Sequence, residues 1–278
     1  MTKISFQGER GAYSEMAALN YFTKIQNNNE SLIEFLTCMT FSDALNSTED
    51  AKSEYSILPV ENSIQGSVSE SYDALYDTKL TAVGEIYQKI EHCLLSAGQI
   101  DKIKTVYSHP QALGQCSDFI QKKSFKIIPT YDTAGSAKII KDLNQDDIAC
   151  IASKNAAKIY DLNIIQEGIS NNLSNYTRFL ILGENSTKET GKDKTSIIFS
   201  IKHESGALYK IIKKFYEKNV NLTKIESRPK KETSWEYNFY VDFEGHQDDS
   251  SIKDVLEKLR NYSTFLKILG SYPIAKLD

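Results

Sequence analysis

The stretch Asn175-Tyr176-Thr177-Arg178-Phe179-Leu180-Ile181-Leu182-Gly183 runs from polar groups directly into a short apolar segment. Four consecutive apolar residues closed by glycine read as a buried strand. An amide, a hydroxyl and a cation therefore stand at the entrance of a rigid element, and that is where the chemistry is placed. Taken alone, the segment is also compatible with an ordinary strand threonine and a surface arginine. The remainder of the chain has to supply a cleft for them to face.

Upstream, a strand-turn-helix unit recurs. Ile4-Ser5-Phe6 precedes the turn Gly8-Glu9-Arg10-Gly11 and a helix from about Ser14. A strand at 55–60 ends in Glu61-Asn62-Ser63-Ile64-Gln65-Gly66 before a helix at 67–76. A strand at 103–106 enters Ser108-His109-Pro110-Gln111, where a hydroxyl followed by a first-turn proline predicts a helix capped by Ser108 and carrying Gln115 on the same face. Strands at 125–128 and 148–151 lead to Asp132-Thr133-Ala134-Gly135-Ser136 and to Ser153. Residues 80–97 read as extended structure crossing between two lobes.

This alternation predicts a largely parallel sheet covered on both faces, or two such sheets, with ligands outside the carboxyl ends of the strands. Ser14, Asn62, Ser63, Ser108, Thr133 and Ser153 fall at those ends. Each can be read as a plain helix cap. As a set they describe a cleft of converging helix N-termini suited to a small anion. The first turn has only two of the three glycines of a dinucleotide fingerprint and reads as a tight turn.

At 278 residues the chain suggests two domains. Its formal net charge of -4 leaves no basic field for a nucleic-acid backbone, so no nucleic-acid partner is expected. Cys38, Cys93, Cys116 and Cys150 are scattered and form no Cys-x-x-Cys, which reads as reduced core residues without a disulfide frame or metal site. No apolar run approaches a membrane span, and Met1-Thr2-Lys3-Ile4-Ser5-Phe6 passes straight into a strand pattern. A cytoplasmic protein without membrane partners is the expectation.

Residues 185–194 read as a polar linker. Beyond it come a strand at 196–201, the turn His203-Glu204-Ser205-Gly206, and a helix with Leu208, Ile211, Ile212 and Phe215 on one face. Strands at 222–225 and 237–243 are joined through Arg228-Pro229-Lys230-Lys231. A helix marked by Val255, Leu256 and Leu259 and a strand at 265–269 follow. The order β-α-β-β-α-β is ferredoxin-like. It carries no cluster of His, Cys or paired acids, so regulation or assembly is its natural role.

Together, Tyr13-Ser14-Glu15, Pro59-Val60-Glu61-Asn62-Ser63 with Gly66, Ser108-His109-Pro110-Gln111-Ala112-Leu113 with Gln115, Asp132-Thr133-Ala134 and Asn175-Tyr176-Thr177-Arg178-Phe179 resemble, in order, the motifs of the prephenate dehydratase family. Gly206-Ala207-Leu208, Glu226-Ser227-Arg228-Pro229, Trp235-Glu236-Tyr237 and Leu269-Gly270-Ser271-Tyr272-Pro273 resemble that family's C-terminal ACT domain. The likeness covers essentially the whole chain. It implies an α/β catalytic domain at 1–184 with two lobes like a type II periplasmic binding protein, the second at about 83–170, and an ACT regulatory domain at 195–278.

The implied reaction is the decarboxylative dehydration of prephenate to phenylpyruvate, with no cofactor and no metal. The resemblance makes Thr177 the acid and Ser14, Asn62, Ser63, Ser108, Gln115, Thr133, Asn175 and Phe179 substrate contacts. Arg178 is expected to clamp a carboxylate. Because adjacent strand residues face opposite sides, this requires the strand to be just starting or twisted there. Glu61 reads more readily as a structural carboxylate than as an acid, and His109 is open between acid-base work and helix-end packing, so neither is counted as catalytic. Phenylalanine, as feedback inhibitor, would bind at Gly206, Ala207, Leu208, Glu226, Ser227, Arg228 and Pro229 across paired domains of a homodimer or homotetramer. Two rivals remain: arogenate as substrate, and a non-catalytic carboxylate-binding protein with a ligand-sensing tail.

Overall fold

The computed structural model describes residues 1–25, 29–230 and 236–277, so Lys231 and Trp235 of the C-terminal motifs lie outside the described residues. Among the described residues the strands form three sheets. The chain opens with β1 (Thr2–Gln7), α1 (Tyr13–Asn20), β2 (Ile33–Cys38), α2 (Phe41–Glu49), β3 (Tyr55–Asn62), the short β4 (Gly66–Ser67), α3 (Ser69–Asp77) and β5 (Thr81–Lys89). It then crosses to a second unit of β6 (Cys93–Ser96), β7 (Thr105–Ser108), α4 (Pro110–Gln115), α5 (Ser117–Lys123), β8 (Lys126–Pro129), α6 (Thr133–Leu143), β9 (Ile148–Ala152), α7 (Lys154–Ile159) and β10 (Asn163–Gln166). It returns with β11 (Tyr176–Gly183) and ends in β12 (Asp193–Ser200), α8 (Ala207–Glu217), β13 (Leu222–Pro229), β14 (Tyr237–Glu244), α9 (Ser250–Tyr262) and β15 (Phe265–Pro273).

Local chemistry sets several of these boundaries. The Thr40 hydroxyl accepts from Asp43 N while the Asp43 carboxylate accepts from Thr40 N, a capping box that starts α2. Asp132 starts α6 by accepting from Gly135 N at 2.6 Å. In the first sheet, ordered β2-β1-β3-β11-β5 with β4 on β3, β1 is parallel to its two neighbours and β11 is antiparallel to β3 and β5. The second sheet, β10-β6-β9-β7-β8, is likewise mixed, with β6 antiparallel to β9 and β10. The largely parallel sheet expected from the alternation is corrected here, because the chain crosses between the sheets twice and the strands flanking those crossings run against their neighbours. The first crossing lies at residues 90–92, and 83–89 belong to β5 in the first sheet rather than to the second lobe.

The third sheet, β13-β14-β12-β15, packs α8 and α9 on one face through Phe199, Ile211, Phe215, Val241 and Val255. Its other face joins the first sheet in one core, where Ile198, Tyr240, Leu269 and Tyr272 meet Leu58, Val60, Leu180 and Leu182. Gly270, at φ 148°, makes this approach possible, since a Cβ there would lie 2.3 Å from Ala82 O. The polar linker is shorter than the sequence suggests: Asp193 and Lys194 are buried strand residues of β12, held by Thr190 N at one end and Glu85 at the other. The two-lobed α/β unit followed by a βαββαβ unit is the expected architecture. Among the described residues no helix is long and apolar enough to cross a membrane.

Candidate active site

Side chains of β11 alternate between two environments. Phe179 and Ile181 pack with Ile4, Phe6 and Ile57 on one face of the first sheet, and Thr177 precedes them in the same phase. Leu180 and Leu182 face the third sheet, as does Arg178. Beside them, Pro59 cannot donate to the ladder. The β3–β11 register shifts there, pairing Arg178 with Glu61 but Phe179 with Pro59.

A cleft of about 610 Å³ opens between the first two sheets. Asn62, Thr177 and Phe179 reach it from the first sheet, Tyr13 and Ser14 from the start of α1, and Ile90 and His92 from the crossing. His109 and Gln115 bound it at α4, and Asp132 and Thr133 at the start of α6. Ser153 caps α7 and also donates to Gly11 O at 2.7 Å, fastening one wall of the cleft to the other.

A continuous polar chain runs along the floor. Asn62 Oδ1 accepts from Ile64 N and Gln65 N, each at 3.1 Å. Its Nδ2 donates to Asn175 Oδ1 at 2.7 Å and to Thr177 Oγ1 at 3.0 Å. Asn175 Nδ2 donates to Gln115 Oε1 at 3.2 Å, and His92 Nε2 lies 2.8 Å from the same oxygen. Tyr13 Oη is 3.1 Å from His92 Nδ1 and donates to Glu91 O at 2.8 Å. Burial lowers the His92 pKa, against the opposing pull of the Gln115 bond, and favours a neutral imidazole. Burial also raises Asp132, although the N–H groups of Gly135 and Ala134 oppose it.

No Lys or Arg is among the described residues that line the cleft. Arg178 is instead buried on the opposite face, so the carboxylate clamp assigned to it is corrected. Its Nε donates to Glu85 at 2.7 Å, its Nη1 to Asp242 at 2.5 Å and its Nη2 to Tyr272 Oη at 2.9 Å. Lys194 completes the cluster by binding both oxygens of Glu85 at 2.8 and 3.0 Å. Burial alone would lower the pKa of the guanidinium, but Asp242, Tyr272 and Glu85 outweigh it and raise it above its usual value.

Of the other expected contacts, Ser14, Asn62, Gln115, Thr133, Thr177 and Phe179 line the cleft. Asn175 is fully buried behind it and supports Asn62. Ser108 does not line it: its hydroxyl donates to Ile151 O at 2.6 Å at the end of β7. The cap of α4 is His109, whose Nδ1 accepts from Gln111 N at 3.2 Å, so Ser108 and Gln115 do not share a helix face. Ser63 is exposed and accepts from Tyr176 N, bracing the turn from outside. Glu61 pairs with Lys224 at 2.9 Å, toward the third sheet. Sequence reasoning missed His92, a lone histidine inside a run read as a crossing, and used Tyr13 only as part of a motif. Neither carried a local signal, because the partners that give each its place lie in other elements.

Residues 4–187 match the family model for prephenate dehydratase, and residues 195–261 match that for the ACT domain. The chain belongs to the prephenate dehydratase family. It is 38% identical over 279 residues to the bifunctional chorismate mutase/prephenate dehydratase of Aquifex aeolicus, covering 99% of this chain and 75% of that protein. It is 39% identical over 285 residues to arogenate dehydratase/prephenate dehydratase 2, chloroplastic, of Arabidopsis thaliana, covering 98% and 73%. The crystal structure of prephenate dehydratase from Arthrobacter aurescens in complex with L-Phe superposes with a TM-score of 0.88 at 27% identity, over 98% of this chain and 90% of that one.

In the ACT domain, Gly206 adopts φ 78° before α8, and Gly206, Ala207 and Leu208 line a separate cavity of about 290 Å³. Glu226, Ser227, Arg228 and Pro229 lie on β13, an edge strand, and do not line that cavity. Glu226 accepts from Ser67 at 2.9 Å, and Arg228 donates to Ser69 at 2.8 Å and Asp73 at 3.3 Å. Within one chain the two expected phenylalanine segments do not meet.

Proposed function

We propose that the protein is a prephenate dehydratase in which Thr177 is the acid. The observation that carries this reading is the direction of one hydrogen bond: Asn62 Nδ2 donates to Thr177 Oγ1, so the hydroxyl keeps its own proton for an acceptor in the cleft. The bond from the prephenate ring to its carboxylate breaks and its electron pair enters the ring. The ring C–O bond breaks as the departing oxygen takes the Thr177 proton, giving carbon dioxide, water and phenylpyruvate. Asn62 then stabilises the alkoxide left on Thr177 until solvent reprotonates it. Aromatisation supplies the driving force, and positioning supplies much of the rate.

With no Lys or Arg among the described residues of the lining, the substrate carboxylates are held by N–H groups and hydroxyls at the starts of α1 and α6, including Ser14 and Thr133, and by the Gln115 amide. This lining, which carries the carboxyl groups of Glu70 and Asp132 and no Lys or Arg among its described residues, also favours a second substrate. Arogenate carries an ammonium on its side chain and so brings less net negative charge, and the Arabidopsis relative is named for both substrates. Phenylalanine acts as feedback inhibitor by binding the Gly206 cavity together with the Glu226–Pro229 segment of a second copy in a homodimer or homotetramer, and the protein resides in the cytoplasm. Such inhibition requires unequal affinity for two states of the enzyme.

The test is the ultraviolet absorbance of phenylpyruvate formed from prephenate by purified protein, beside phenylalanine formed from arogenate. Product from prephenate that falls on adding phenylalanine is expected. Substrate binding without product from either would leave a carboxylate-binding protein.

A further inference from the structure

We infer that His92 is a positioning residue for the dehydration: its Nε2–H fixes the sense of the amide chain Gln115–Asn175–Asn62 that ends on Thr177. The argument starts at the backbone. Ile64 N and Gln65 N are donors, so the oxygen of Asn62 must face them and its Nδ2 must face Asn175 and Thr177. Asn175 must then turn its oxygen to Asn62 and its Nδ2 to Gln115. Gln115 therefore presents Oε1 to both Asn175 and His92. A bare Nε2 at 2.8 Å from that oxygen would set two acceptors against each other, so the proton is on Nε2, and the bare Nδ1 at 3.1 Å competes with Glu91 O at 2.8 Å for the single proton of the Tyr13 hydroxyl. Every amide orientation in the chain follows from the one before it.

The consequence is at Gln115. Its oxygen is taken twice inside the wall, which leaves its Nε2 as the end for a substrate carboxylate. Asn62 is anchored by two backbone groups, whereas Gln115 depends on Asn175 and His92 alone. Loss of His92 lets the Gln115 amide turn over and present its oxygen to the anion. His92 thus acts through Gln115 and touches no reacting atom.

This inference rests on the reading of the cleft as the dehydratase site, and its first test is independent of turnover. Nitrogen-15 NMR of the resting protein at pH 7 should show His92 as the neutral Nε2–H tautomer; an Nδ1–H tautomer would overturn the relay whatever the activity. The second test is a double-mutant cycle in kcat/KM for prephenate. His92→Leu and Gln115→Ala should each lower it about tenfold, and the double variant should lose about the same and not about a hundredfold. His92→Gln, which returns an N–H to the position of Nε2, should recover most of the loss and remains informative if the leucine variant does not fold. Multiplicative losses, or a glutamine variant as poor as leucine with an unchanged melting temperature, would show a merely structural histidine. An Nε2–H tautomer in a protein inactive on prephenate and arogenate would instead refute the proposed activity and leave the hydrogen-bond sense intact.

Discussion

The two faces of β11 solve opposite electrostatic problems with neighbouring residues. On the cleft side, Thr177 belongs to a neutral chain of amides, hydroxyls and an uncharged imidazole. One residue on, Arg178 sits in a buried cluster of two cations and two anions drawn from both parts of the molecule. Neutral donors keep an open coordination site for a ligand. Buried charges must be matched within the protein, and matching them uses up their hydrogen-bonding capacity. The difference teaches that the more conspicuous polar residue of the pair is the structural one.

The contrast can be broken most severely at Arg178. Arg178→Met leaves Asp242 buried without its cation and should cost about 3–5 kcal/mol of stability, measured by urea unfolding. The kcat/KM of the folded variant, assayed at low temperature, should stay near that of the unaltered protein. A large loss of turnover without loss of stability would return Arg178 to the cleft. Tyr272→Phe removes one acceptor from Arg178 and one partner from Ser196, and should cost about 1–3 kcal/mol in the same assay.

A smaller effect comes from pH. Burial alone would raise the Asp242 pKa, but Arg178, Ser196 and Lys194 outweigh it and hold the carboxyl below its usual 3.8. A carboxylate depressed in the folded state contributes stability that is fully present above the unfolded value and is lost as pH falls through the folded one. Stability should therefore decline below about pH 3.8, and Asp242→Asn, though less stable at neutral pH, should flatten that part of the curve. An unchanged acid limb would show that Asp242 is not held ionised by the cluster.

Much of the site was legible before the structure. The apolar run 179–182 gave the strand, and the alternation of β11 follows from its period of two. Asn62 and Thr133 were placed by their position between a strand and a helix. What could not be read was the destination of Arg178, because its partners Glu85 and Asp242 lie 93 and 64 residues away in sequence. Ser108 misled because a hydroxyl before His-Pro looks like a cap, whereas the histidine fills that place and the serine closes a strand. His92 gave no local signal, since its meaning comes from Gln115 and Tyr13, which only the fold brings beside it. The linker was drawn too long because Asp193 and Lys194 look solvated in sequence and are buried against partners from elsewhere.

The central claim is that proton delivery belongs to the neutral face of β11. Its most direct test is the turnover of prephenate by Thr177→Val, which keeps the side-chain shape and removes the hydroxyl. The account predicts that kcat falls about 10²–10⁴-fold while the melting temperature stays close to that of the unaltered protein. Near-normal turnover by a folded Thr177→Val would contradict it.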